Sequence, residues 1–125
     1  MSGDEQSREL PADLSRAGAA RHFISWRAAA AGIGSGALPQ LATAAEAALT
    51  DIYLSAREGG IRIETRSSGT DFRVEIRHPE LPEADRRLRN LSGVLERFVD
   101  DYEILATRTV LVKRLPQAPQ GSERR

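Results

Sequence analysis

The chain has 125 residues, with 18 basic side chains, 18 acidic ones and no cysteine. The balanced charge argues against broad nucleic-acid binding, which usually needs a basic excess, and the lack of cysteine excludes disulfides, thiolate metal sites and thiol nucleophiles. No apolar run approaches the roughly 20 residues that span a bilayer, and the polar N-terminus is unlike a signal peptide. We therefore expect one cytoplasmic domain over residues 10–115, with polar, disordered tails at 1–9 and 116–125.

The first half of the domain predicts an extended lead-in and two helices. Residues 10–14 contain a proline, which favours a short edge strand, and a helix follows over 15–31 until Gly32 stops it. The GIGSG stretch after this helix lacks the Lys-Ser/Thr ending of a phosphate loop and does not follow a strand, so we interpret it as a linker. A second helix over 38–56 has apolar residues spaced by three and four, so that one stripe faces a core.

A hairpin is predicted after the second helix. Residues 61–66 and 72–77 alternate apolar and polar side chains, which is typical of half-buried strands, and the SSGT stretch at 67–70 joins them as a turn. The sequence HPELP at 78–82 then breaks the second strand.

A third helix is predicted over 83–101. Its apolar set consists of Leu88, Leu91, Leu95, Phe98 and Val99. Three arginines near its start, Arg86, Arg87 and Arg89, are interpreted as a solvated face rather than a binding patch.

The last element is a strand over 107–115, with either Val110 and Val112 or Leu111 facing inward. The order of elements predicts an α+β fold. We expect a two-layer α/β sandwich, in which a mixed, mainly antiparallel sheet carries helices on one face.

This succession resembles the anti-sigma regulatory factor family of bacterial serine kinases, which belongs to the histidine-kinase/Hsp90-like (GHKL) ATPases. The family's opening strand and first helix are similar to LPADLSRAGAARHFISWRAAAAG, and its N-box helix is similar to LPQLATAAEAALTDIYLSA. Its next two strands resemble IRIETR and FRVEIR, and its closing helix and strand resemble LSGVLERFVDDYEI and TRTVLVKRL. The resemblance covers 10–115 and implies the family's fold, with ATP and Mg²⁺ as its cofactors.

The N-box helix of the family carries a catalytic glutamate and, four residues on, an asparagine that holds Mg²⁺. Ala47 stands at the glutamate position, so the resemblance leaves no catalytic base there, and Asp51 stands at the asparagine position. Glu46 is rotated by about 100° from Ala47, and we expect it not to replace the base. Asp51 is either a metal and cofactor ligand or an exposed helix carboxylate.

The adenine-binding motif of the family, an aspartate followed by glycines, is matched here by HPELP. His78 takes the aspartate position, and a neutral histidine can accept a hydrogen bond from adenine. Glu80 takes the position of the first glycine, between Pro79 and Pro82, which favours a proline-stiffened strand exit over a base pocket.

The phosphate-wrapping turn of the family, GxGL, is matched by residues 88–91, which contain neither glycine. Gly93 instead lies within the predicted helix. Three altered motifs predict a degenerate regulatory protein that acts by binding a sigma factor or an anti-sigma-factor antagonist, without catalysis. A homodimer is a further expectation, and neither nucleic acid nor a membrane is an expected partner.

Two alternatives remain open. One is an active ATP-dependent serine kinase that uses Asp51 on the metal and Glu46 as base. The other is a structural or regulatory subunit of the same fold with no sigma partner. The remaining chemical side chains carry less: His22 is interpreted as a packed or surface residue, and Trp26 as a core or interface anchor.

Overall fold

A computed structural model describes residues 5–11, 17–56 and 59–116. In chain order the elements are β1 Glu5–Pro11, α1 Ala17–Ala31, α2 Leu38–Ser55, β2 Gly60–Ser67, β3 Asp71–Arg77, α3 Ala84–Phe98, β4 Asp101–Ile104 and β5 Arg108–Arg114. The five strands form one sheet in the order β1-β2-β3-β5-β4, and every neighbouring pair is antiparallel. The predicted α+β class is confirmed, but the described sheet contains no parallel pair and is therefore not mixed.

The register of the central strands decides which side chains enter the core. Ile63 of β2 lies opposite Ile76 of β3, and both are fully buried. Leu111 of β5 lies opposite Val74, so Leu111 is the inward residue of the two alternatives left open for this strand. Because side chains alternate across a strand, Val110 stands on the other face of the sheet.

That other face is charged, and its arginines are exposed to water. The carboxylate of Glu75 forms ion pairs with three arginines, at nitrogen–oxygen distances of 3.4 Å to Arg73, 3.0 Å to Arg77 and 3.6 Å to Arg108. An antiparallel sheet can leave one face solvated in this way. Pairs involving such exposed arginines typically contribute at most about 1 kcal/mol each. The buried apolar cluster lies on the opposite face of the sheet, beneath the helices.

The three helices lie side by side on that core face. The central helix, α2, packs against α1 on one flank and α3 on the other. Its predicted apolar stripe is buried, including Leu41, Leu49 and Ile52. Burying each such side chain stabilises the fold by about 2 kcal/mol, so α2 is the centre of the core. None of the described helices is both long and apolar enough to cross a membrane.

The N-terminal strand begins earlier than predicted, and residues 12–16, where the predicted strand ends and the predicted first helix begins, lie outside the described residues. β1 begins at Glu5 and pairs with β2 along its length, so residues 5–9 are not part of a disordered tail. These side chains are exposed, and the strand is held by backbone pairing at the sheet edge, which leaves no apolar pattern to detect. Residues 1–4 and 117–125 of the two predicted tails lie outside the described residues.

The third helix is shorter than predicted. α3 ends at Phe98, and the segment expected to continue it forms β4. The N–H of Val99 still donates to Leu95 O, at 2.9 Å, whereas the N–H of Asp100 already donates to Val112 O of β5. A strand of four residues is too short for its alternation to stand out beside an amphipathic helix.

Candidate functional site

The centre of the site is a buried ion pair between α2 and α3. Asp51 Oδ2 accepts a hydrogen bond from Arg87 Nε at 2.7 Å, and the two side chains are only 16% and 3% exposed. The prediction that Arg87 belongs to a solvated face is therefore wrong. Arg87 precedes Leu91 by four residues and Leu95 by eight, so all three side chains share the stripe of α3 that faces the core.

The other two nitrogens of Arg87 bind two further segments of the chain. Nη1 donates to the carbonyl oxygen of Leu105 in the β4–β5 turn at 3.3 Å, and Nη2 donates to Thr109 Oγ1 of β5 at 3.4 Å. Burial of a charge is costly unless it is paired and hydrogen-bonded. Every nitrogen of this guanidinium has an acceptor within the protein, which satisfies that condition.

His78 completes the arrangement from the end of β3. Its Nδ1 lies 2.9 Å from Pro79 O and its Nε2 lies 3.1 Å from Thr109 Oγ1. A carbonyl oxygen can only accept, so Nδ1 carries the proton of the neutral ring and Nε2 accepts from the Thr109 hydroxyl. Thr109 then accepts from Arg87. We call Asp51, Arg87, Thr109 and His78 the polar network.

The electrostatics of the network favour the neutral histidine. Burial lowers the pKa of His78 below its usual value, and this is the largest influence. The hydrogen bond to Pro79 O raises the pKa, the positive charge of Arg87 lowers it, and the negative charge of Asp51 raises it. The net shift is downward, which agrees with a ring that accepts from Thr109.

The structure brings the two predicted binding residues, Asp51 and His78, into one network, but each of them binds groups of the protein itself. The guanidinium of Arg87 occupies the space beside the Asp51 carboxylate, and a second cation there would meet like-charge repulsion. Both ring nitrogens of His78 are engaged within the protein. In the described ranges, no cluster of three or more His, Asp or Glu side chains forms a metal site. This geometry does not match the ligand set that Mg²⁺ and adenine require.

The neighbouring positions on α2 supply no catalytic group. Ala47 is half-buried and packs against the core. Glu46 Oε1 accepts from Arg21 Nη1 of α1 at 3.3 Å, so its carboxylate lies on the flank of α2 that faces α1. Asp51 faces α3 instead. The two carboxylates therefore point to opposite flanks of the helix.

The segment matched to the phosphate-wrapping turn is helical. Residues 88–91 lie inside α3, where Leu91 is buried and Leu88 is 40% exposed. Arg87, rather than the predicted Leu88, occupies the buried stripe. The start of α3 carries Glu83, in a left-handed conformation with φ 58°, and Asp85 in the first turn. Acidic side chains at a helix N-terminus disfavour a bound phosphate.

Sequence reasoning missed Arg87 and Thr109. The spacing of Arg87 to Leu91 and Leu95 was a usable signal, because a polar residue on an apolar stripe indicates a buried partner. Thr109 could be found from its alternation with Leu111. Outside the network His22 is exposed, and Trp26 is 58% exposed and so does not belong to the core.

No known protein-family model matches this chain, and a search of curated proteins finds no match. The geometry of the polar network and the surface around it therefore carry the functional proposal.

Proposed function

We propose that this protein is a non-catalytic regulator of the anti-sigma-factor type, with a degenerate GHKL-like fold, which acts in the bacterial cytoplasm by binding a partner protein. The observation that carries the proposal is the ion pair between Asp51 and Arg87. In an active member of that family the corresponding carbonyl or carboxyl group would hold the metal. Here it holds a side chain of the same protein.

Three independent features support the absence of phosphotransfer. Ala47 offers no base. The Nδ1–H group of His78 donates to Pro79 O, and its Nε2 accepts from the Thr109 hydroxyl. Residues 88–91 are helical, so their backbone N–H groups are directed into the helix rather than toward a phosphate. Each feature removes a different requirement of nucleotide chemistry.

A regulator without chemistry acts through its surface. The expected partners are a sigma factor or an anti-sigma-factor antagonist, and the expected mechanism is sequestration by surface complementarity. A homodimer is compatible with the outer edge of β1, which pairs with no other strand among the described residues, because an unpaired edge can accept another strand.

The second candidate is an active serine kinase, favoured by the retention of a carboxylate at Asp51. This candidate requires Arg87 to leave Asp51 so that a metal can enter. It also requires Glu46 to leave Arg21 and to reach across α2 as a base. The two functions differ in one product, a phosphorylated antagonist.

The test uses the purified protein with sigma factors and antagonists of its native host. We expect a saturable complex by calorimetry and no transfer of labelled phosphate from Mg-ATP to the antagonist. Phosphate transfer would overturn the proposal in favour of the kinase. A failure of every sigma factor and antagonist to bind would overturn it in favour of a structural or regulatory subunit.

A further inference from the structure

Within the described ranges, the helical layer does not cover the whole sheet. α1 packs over β2 and β3, α2 over β5, and α3 beside β4. On β1, Arg8 lies opposite the buried Ile63, and Gln6 lies opposite the buried Thr65. Directly opposed residues point to the same face of an antiparallel pair, so Arg8 and Gln6 stand on the helical side. Both are nevertheless exposed, so none of the described helices covers β1 here, and the space above these two side chains can take another helix.

The wall of this space is the outer flank of α1. Trp26 follows Arg21 by five residues, a rotation of about 140°. Because Arg21 pairs with Glu46 of α2, Trp26 lies on the flank turned away from α2, toward β1. Its ring is 58% exposed, and the guanidinium carbon of Arg27 lies 5.3 Å from the ring centroid. A large aromatic side chain held in this way can contact a partner at little entropic cost.

In the described part of the chain, α1 contributes no negative charge to the surface around Trp26. The sequence of α1 contains no acidic residue, and its exposed positions near the outer flank include His22, Ala29 and Ala30. Arg8 adds a positive charge from the strand below. We define the β1 ledge as Gln6, Arg8, Trp26 and Ala30. Its charge is complementary to carboxylates.

We propose that the β1 ledge binds an amphipathic helix of the partner protein, whose apolar residues pack on Trp26 and Ala30 and whose carboxylates pair with Arg8. The docked segment extends the helical layer over β1 as a fourth helix. This inference rests on the proposed function, since it names the surface by which a non-catalytic regulator holds its partner.

Trp26 is the only tryptophan of the chain, so its fluorescence reports on the ledge directly. The probe is a synthetic amphipathic peptide of about five helical turns, with leucines on one face and glutamates on its flanks. We expect a saturable blue shift of the emission. A matched peptide with lysine in place of glutamate is expected to bind at least about tenfold more weakly, the equivalent of one charge-pair contact.

Variants locate the binding. Measured by anisotropy of a labelled peptide, Trp26→Ala is expected to weaken binding about thirtyfold, as for an aromatic hot spot, and Arg8→Glu about tenfold. Leu54→Ala is the matched control, because Leu54 is also apolar and 70% exposed but lies on α2. Equal losses in Leu54→Ala and Trp26→Ala would overturn the inference, as would equal binding of the lysine peptide.

Other occupants give different signals. A blue shift that grows with protein concentration alone would show that a second copy of this chain, and not a partner helix, occupies the ledge. A blue-shifted emission at every dilution, without peptide, would show that a segment of the same chain occupies it. Either result overturns the inference.

The failure of this inference is distinguishable from that of the proposed function. If a sigma factor or antagonist binds Trp26→Ala as tightly as the native protein, the regulator stands and the ledge is wrong. If the glutamate peptide binds at Trp26 while no sigma factor or antagonist binds at all, the ledge stands and the proposed function is wrong.

Discussion

Two helices of the same layer break the usual distribution of side chains in opposite ways. α3 buries the charged Arg87 on its core stripe, whereas α1 leaves the aromatic Trp26 58% exposed on its outer flank. The buried charge is held by three acceptors within the protein, and the exposed ring lies on the flank of α1 that is turned away from α2. The difference teaches that the former position is filled by groups of the protein itself, whereas the latter is the position at which we propose that a partner binds.

The largest effect on stability is expected when the ion pair between Asp51 and Arg87 is broken. Asp51→Ala leaves the Arg87 charge buried without its counter-ion and is expected to lower the free energy of unfolding by about 3 kcal/mol. Replacing both residues, in Asp51→Leu/Arg87→Met, removes the charge as well and is expected to stay within about 1 kcal/mol of the native protein. Denaturant unfolding measures both changes. A double variant as unstable as Asp51→Ala would show that the ion pair is not the origin of the effect.

The next effect concerns the hydroxyl that links Arg87 to His78. Thr109→Val removes an acceptor for Arg87 and a donor for His78, and is expected to cost about 1–2 kcal/mol in unfolding free energy. Thr65→Val is the matched control. Thr65 is also a buried core-facing threonine, but its hydroxyl has no hydrogen-bond partner in the described ranges, so this change is expected to be neutral or stabilising. Equal losses in the two variants would indicate packing rather than hydrogen bonding.

The polar network also predicts a pH dependence. Because the pKa of His78 is lowered in the folded protein, the unfolded chain binds its proton first on acidification. The stabilisation is therefore full above the unfolded pKa of about 6.5, and it is lost as the pH falls through the folded value. His78→Gln is expected to flatten this part of a stability-versus-pH curve, whereas His22→Gln, which removes the other histidine, should retain it. An unchanged slope in His78→Gln would contradict the assignment.

The smallest effect on stability is expected at Trp26, on the outer flank of α1. Trp26→Ala should change the free energy of unfolding by less than about 0.5 kcal/mol, since most of the ring is already in water. On the same helix, Phe23→Ala removes a ring that is 6% exposed and should cost about 3 kcal/mol. Thermal or denaturant unfolding compares them. A large loss in Trp26→Ala would mean that the residue supports the fold rather than a partner.

Periodicity predicted much of the fold but not the chemistry of the site. The α2 stripe and the β2–β3 hairpin follow from spacing alone, because burial of one face imposes a period. Residues 5–9 of β1 escaped detection because an exposed edge strand needs no apolar residues, and β4 escaped because four residues carry little pattern. Arg87 was placed in water because charge usually excludes burial. Its acceptors come from α2, the β4–β5 turn and β5, and tertiary contacts of that kind are not encoded in local spacing.

The central claim is that Arg87 fills the position beside Asp51 that a metal and nucleotide would need. Titration of the native protein with Mg-ATP by isothermal calorimetry tests it most directly. The account predicts no saturable heat up to millimolar nucleotide. Micromolar binding that is lost in Asp51→Ala, with circular dichroism showing that the variant is folded, would contradict it.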